Sequence, residues 1–322
     1  MKYYCIDKPV FVEESVYRRI LENVVRKLSK LQNVVAIFQI GGTSSPGISD
    51  LDLVVVFKDN TDCNFNLHSE LSPEEKYLFI HKLYGCSASF FKQSERFSFF
   101  HNFSLKSGLD IHIPVKENSS HPEKIKVQFA LEYMLKMYAN VMLQKTYGIL
   151  QVRSLLLHGK ALDYDLTFLG ITTGELKESV QELLEIRSSW FTEKNNLQNL
   201  EDWFEDFCNI YPKELSVILH KHVLYLQGKT PFRIAKNISL DLAASISTHH
   251  KGRILPTFPV SFLGKKYFRL QNKFNKFTLN APFETDNFSP EIRSYFDFVN
   301  QHRNYNRQHL PNFYPLTSSL LS

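Results

Sequence analysis

Ile40-Gly41-Gly42-Thr43-Ser44-Ser45-Pro46-Gly47-Ile48-Ser49-Asp50-Leu51-Asp52-Leu53-Val54-Val55 decides how this chain is read. An apolar run, Val34–Ile40, enters a Gly-Gly corner, a short polar loop follows, and a second apolar run, Leu51–Phe57, leaves it. Continuous apolar runs of this length read as buried strands. The short link with Pro46 and its turn residues makes the pair antiparallel or part of a mixed sheet. On a strand, side chains two apart share a face, so Asp50 and Asp52 stand side by side within reach of the same divalent cations. The glycines let backbone amides approach a phosphate closely.

Working outward, Glu14–Leu31 repeats Val16, Ile20, Val24 and Leu28 at helical spacing, with Arg18, Arg19, Glu22, Arg26 and Lys27 between them. Ser72-Pro73-Glu74-Glu75 is a helix start that leads to about Leu83. Ser87–Phe91 and Phe97–Phe103 are weaker strand candidates. Leu109–Val115 alternates, with Leu109, Ile111 and Ile113 on one side and Asp110 and His112 on the other. That alternation predicts a half-buried strand. A polar run, 116–122, marks a boundary. Beyond it the chain is helical: two helices in 123–157 meeting near Gly148, one over 174–190, and two more over 200–208 and 212–225.

The expected class is α+β: a mixed-sheet domain over 1–118, a mostly helical domain over 119–250, and a loop-rich basic aromatic segment over 251–322. The 322 residues, 43% hydrophobic and 14% aromatic, suffice for real cores. No apolar run reaches the roughly 18 residues that span a bilayer. The N-terminus lacks a basic head followed by an apolar stretch. Cys5, Cys63, Cys86 and Cys208 are scattered without a C-x-x-C pair, so neither a zinc cage nor a disulfide framework is indicated. The expectation is a cytoplasmic protein with reduced thiols and no membrane partner. The net charge is +5, and Lys251, Arg253, Lys265, Lys266, Arg269, Lys273 and Lys276 fall in one stretch without an acid. Phe258, Phe262, Tyr267, Phe268, Phe274 and Phe277 are interleaved with them. That pattern reads either as a strand pair with buried rings and solvated lysines, which is the favoured account, or as a nucleic-acid surface.

Metal-assisted phosphoryl chemistry needs paired carboxylates and a further acid that helps to activate the attacking hydroxyl. Asp110, about sixty residues beyond Asp52 on a predicted strand, is the expected third acid, and Mg²⁺ is the natural ion for such oxygens. Hydrophobic-Gly-Gly-Thr, a loop, Ser49-Asp50-Leu51-Asp52-Leu53 and Leu109-Asp110-Ile111 together resemble the DNA polymerase β-type nucleotidyltransferase superfamily over about residues 30–115. The short loop resembles the glutamine-synthetase adenylyltransferase branch. The resemblance implies that Gly41 and Gly42 form the phosphate-binding turn, that Asp50, Asp52 and Asp110 hold two Mg²⁺ ions, and that an NMP passes from an NTP, ATP by expectation, to an acceptor with release of pyrophosphate. The acceptor stays open: a small molecule, a protein or an RNA end. Two departures stand out. Gly42 occupies a position where many members have serine, which passes the hydroxyl role to Thr43 or Ser44, and the loop carries no Arg or Lys. In this superfamily a helix after the sheet often lends such a charge, and Lys160, seven residues beyond Arg153, is the candidate. RNA end modification and a non-catalytic, nucleotide-binding relative are the alternatives.

Overall fold

The two apolar runs flanking the glycine corner form the centre of one sheet in the computed structural model of the chain, which describes residues 3–97, 100, 102–111 and 123–317. In chain order the first elements are β1 (Tyr4–Ile6), α1 (Glu14–Leu28), β2 (Val34–Ile40), β3 (Asp52–Phe57), α2 (Leu67–Glu70), α3 (Pro73–Leu78), β4 (Tyr84–Ser87), α4 (Ala88–Phe97) and β5 (Phe103–Gly108). There follow α5 (Glu123–Tyr147), β6 (Ile149–Gln151), α6 (Val152–Phe168), α7 (Glu175–Ser189) and α8 (Asn196–Lys221). The last are β7 (Phe232–Ala235), β8 (Ile238–Leu242), β9 (Ser247–Gly252), α9 (Val260–Leu263), α10 (Lys265–Phe274), β10 (Asn275–Ala281) and α11 (Pro290–His309). The class is α+β with mixed sheets. Among the described residues no helix is long and apolar enough to cross a membrane.

The chain divides into two compact units that do not follow the boundaries read from sequence: Val10–Ile125 with Pro290–Ser318, and Met1–Pro9 with Lys126–Ser289 and Ser319–Ser322. In the first unit the strand order is β4-β3-β2-β5. β2 is antiparallel to β3 and β5, and β3 is parallel to β4. Both faces of the sheet are covered, which is why its central strands are continuously apolar. On one face Ile37, Leu53, Val55 and Phe57 pack with Tyr17, Ile20, Val24 and Leu28 of α1 and with Leu310 and Phe313. On the other Ala36, Phe38, Val54 and Val56 pack with Phe91 and Leu316. The C-terminal segment after α11 therefore belongs to the same unit as the glycine corner. Its Tyr314 amide donates to Leu83 O (2.8 Å), and the Gly85 amide donates to Tyr314 O (2.9 Å).

Several expectations need correction. Residues 88–97 form a helix, α4, where 87–91 reads as a strand. The predicted helix from Ser72 keeps its capping box but ends at Leu78. Of the strand predicted over 109–115, residues 109–111 lie beyond the end of β5 and 112–115 lie outside the described residues. β5 ends at Gly108, which has φ +92° and would drive a Cβ to 2.2 Å from Val35 O. Only glycine accepts that approach. Leu109 then donates to Val35 O, and Ile111 turns back to Leu109 O (both 2.9 Å), so the alternating pattern continues beyond the sheet without strand pairing at Asp110. His112 lies outside the described residues.

In the second unit, α5 gives way at Gly148 (φ +62°), as the sequence predicts. The two helices expected over 200–225 are one, α8, which runs through Pro212. Its buried face is continuous: Trp203 stacks on Phe207, and Phe207 on Tyr211, each at 4.6 Å. That packing carries the helix across the missing N–H. The segment expected to be loop-rich, 251–322, contains β10, α9, α10 and α11, and β10 completes a sheet, β7-β8-β10-β9, whose other strands lie almost wholly in the region expected to be helical.

His302 of α11 is fully buried, stacked on Phe90 (4.6 Å, 6°), with neither ring nitrogen in an aligned hydrogen bond. Burial pulls its pKa down to about 3, against a smaller upward pull from the Gly85 carbonyl. Below its ordinary value of 6.5 the unfolded chain takes up the proton and the folded chain does not, so the contribution to stability is complete above that pH and is lost as pH falls toward 3. Denaturant titrations at pH 7 and pH 5 should differ by about 2 kcal/mol from this group. His302→Phe should shrink that difference.

Candidate metal and phosphate site

The corner after β2 is held by two tyrosines that local sequence does not announce. The Tyr17 hydroxyl, from α1, donates to Ser49 O (2.7 Å) and accepts from the Gly47 amide (3.0 Å). The Tyr77 hydroxyl, from α3, donates to Gly47 O (2.5 Å) and accepts from the Val10 amide (2.8 Å). Within the loop, the Ile48 and Ser49 amides donate to Ser45 O, and the Ser45 amide donates to Ser49 Oγ. The loop contains a short helical turn held at Gly47 and Ser49, and it delivers the chain to β3 in fixed register, with Ile40 opposite Asp52.

Gly41 has φ +66° and Gly42 does not need a left-handed conformation; both are exposed, and a Cβ at either would meet nothing within 4 Å. The corner is open enough to admit a phosphate. Thr43 is half-buried and Ser44 exposed beside it. β3 begins at Asp52, so Asp50 lies just ahead of the strand rather than on it.

The third member of the cluster is His81, which the sequence reading buries inside a helix. Asp50, Asp52 and His81 each offer one ligand atom, and these lie within 4.8 Å of one another. His81 Nε2 is 2.8 Å from Asp52 Oδ1. On the other side of the ring, Nδ1 donates to Lys82 O at 2.7 Å, and the His81 carbonyl accepts from His68 Nε2 at 2.6 Å. Burial lowers the pKa of His81, but the Asp52 carboxylate outweighs it, with Asp50 acting in the same direction, and the value rises to about 9. Asp52 Oδ1 is buried without an aligned hydrogen bond, so its contact with His81 is a charge contact. A divalent cation bound here would take the place of the proton that His81 Nε2 holds against this oxygen. Tyr84 and Tyr314 flank the His81 ring at 5.5 and 5.9 Å.

His81 reaches this place because α3 ends early. The Leu78 carbonyl accepts from the Leu51 amide (2.9 Å), which ties the end of the helix to the residue between the two aspartates. No Gly or Pro follows Leu78 to signal that stop.

Asp110 is not brought to the cluster. Asp52 faces Ile40 at one end of β2, whereas Gly108 faces Ala36 toward the other, roughly 13 Å away along the strand, and Asp110 lies two residues further on. The β5 residue at the site end is Phe103, which pairs with Ile40. Lys160 is exposed on α6 of the other unit. The structure thus gathers Gly41, Gly42, Thr43, Ser44, Asp50 and Asp52 in one place, adds His81, and leaves Asp110 out. Comparison with protein-family models, curated proteins and solved structures finds no match.

Two outcomes follow from this geometry. Tyr17→Phe leaves the Gly47 amide and the Ser49 carbonyl without this partner and should cost about 1–3 kcal/mol, read from the denaturation midpoint. In calorimetric titration with Mn²⁺, Asp52→Asn should weaken binding by more than about 10-fold, while Asp110→Asn leaves it unchanged.

Proposed function

We propose that the chain is a divalent-cation-dependent nucleotidyltransferase that moves an NMP from a nucleoside triphosphate to an acceptor and releases pyrophosphate. The observation that carries the reading is the Asp50–Asp52–His81 cluster directly beside an open glycine corner on a clamped loop. Two carboxylates and an imidazole fit a divalent ion, and the nitrogen donor admits Mn²⁺ alongside Mg²⁺. With Asp110 at the far end of β2, the reading takes one cation at the cluster in place of the two Mg²⁺ ions first expected.

The exposed amides after Gly41, with the hydroxyls of Thr43 and Ser44, hold the triphosphate by hydrogen bonds to anionic oxygens. Asp50, Asp52 and His81 hold the cation, which when bound supplies charge neutralisation at the phosphates. The acceptor oxygen bonds to the α-phosphorus as the bond to the bridging oxygen breaks. The proton of the acceptor passes to the carboxylate oxygens at the site. ATP is the expected donor, and the acceptor class stays open among small molecules, proteins and RNA ends.

A second reading, a non-catalytic nucleotide-binding relative, draws on the displacement of Asp110 alone. Label transfer separates the two. The protein is incubated with α-labelled nucleoside triphosphate, divalent cation and fractionated cell extract. Transfer should be lost in excess chelator, fall by more than about 100-fold in Asp52→Asn, and survive in Asp110→Asn. Nucleotide binding without transfer to any fraction would establish the second reading instead.

A further inference from the structure

The four-stranded sheet of the second unit presents its inner face to a core through Ile238, Leu240, Phe277 and Leu279, all buried. Its outer face is polar and cationic. The pairing sets Arg233, Ser239, Thr278 and His249 in one row across the four strands. One same-face step further, Lys276 stands directly opposite Lys251. Like charges in that position destabilise a sheet. Both are exposed, and among the described residues neither has an ion-pair partner. The segment 251–280 contains no acid at all. Of its seven cations, Lys265 is paired, with Asp7 at 2.8 Å. The nearest acid on the outer face is Asp241, two same-face steps from the lysine pair.

An uncompensated lysine pair is relieved by an anion laid across it. Just outside the ladder, Phe274, the last residue of α10, precedes Asn275, which pairs with Gly252; it is 54% exposed and has no aromatic partner among the described residues. Along β9 the outward groups His249 and Lys251 stand two residues, about 6.8 Å, apart. A facing lysine pair, hydroxyls beside it, and an exposed ring just beyond the ladder match a chain of phosphates carrying unpaired bases. A duplex offers no base face to such a ring. The other exposed rings, Phe258 and Phe262, stand on the turn around α9 and not in these rows.

We infer that the outer face of the β7-β8-β10-β9 sheet binds single-stranded nucleic acid, with Lys251 and Lys276 on phosphate and Phe274 under a base. The inference stands apart from the metal cluster, which belongs to the other unit.

The test is fluorescence anisotropy of the full chain with a labelled single-stranded RNA of about 15 nucleotides at about 50 mM salt. The wild type should bind and lose affinity steeply as salt rises. Lys251→Gln with Lys276→Gln should weaken binding about 10-fold and reduce the salt slope by about 1.4, the share of two phosphate contacts on a single strand. The melting temperature of that variant should be unchanged or raised, since a repulsion is removed. Phe274→Ala should cost about 10-fold on single strands and nothing on duplex. Asp52→Asn should bind RNA like the wild type even if label transfer fails. Absence of wild-type binding, or affinity and slope unchanged in the lysine variant, would overturn the inference. So would tighter binding to phosphatidylserine vesicles that Phe258→Glu with Phe262→Glu abolishes, which would make the surface a membrane contact.

Discussion

The register that sets Ile40 opposite Asp52 is the constraint on which the candidate site depends. It is fixed twice. The apolar pattern of β2 and β3 buries both faces, and a slip by one residue would exchange every side chain between two differently shaped cores. The loop between the strands is then held by Tyr17 and Tyr77, from two different helices, through the backbone of Gly47 and Ser49. With register and loop both pinned, the acids emerge at the mouth of the glycine corner.

That arrangement places charge where the fold alone would not favour it. Asp52 extends the face of Val54 and Val56 and keeps a buried, unaligned oxygen, while His81 approaches it at 2.8 Å in a pocket that disfavours an isolated ion. Both side chains keep part of their exposure, and the raised pKa of His81 means that the folded state favours the charged pair at neutral pH.

Much of the first sheet is legible in the chain. The helix over α1, both central strands and the capping box of α3 follow from spacing and end signals. The pairing of Asp50 with Asp52 is read from a strand interval, and the structure keeps the two together although Asp50 stands just ahead of β3. Asp110 shows where pattern fails. Leu109, Asp110 and Ile111 alternate as a strand would, but Gly108 turns the chain out of the sheet, and no property of residues 109–111 reveals it. His81 fails in the opposite sense: its helical surroundings look continuous, and the helix ends because the Leu78 carbonyl is taken by an amide twenty-seven residues earlier in the chain.

By itself the sequence determined the α+β class, the central strand pair, the glycine corner and the acids beside it, and an acid-free basic stretch near the C-terminus. These are short-range properties, set by periodicity, turn chemistry and composition. Only the tertiary structure decided that the third group at the cluster is a histidine, that the residues after α11 complete the same core as β2 and β3, and that the basic stretch is largely a sheet and a helix with two lysines face to face. Each of those depends on which distant backbone groups satisfy one another, and that is fixed by long-range packing and hydrogen bonding, which no local window of residues contains.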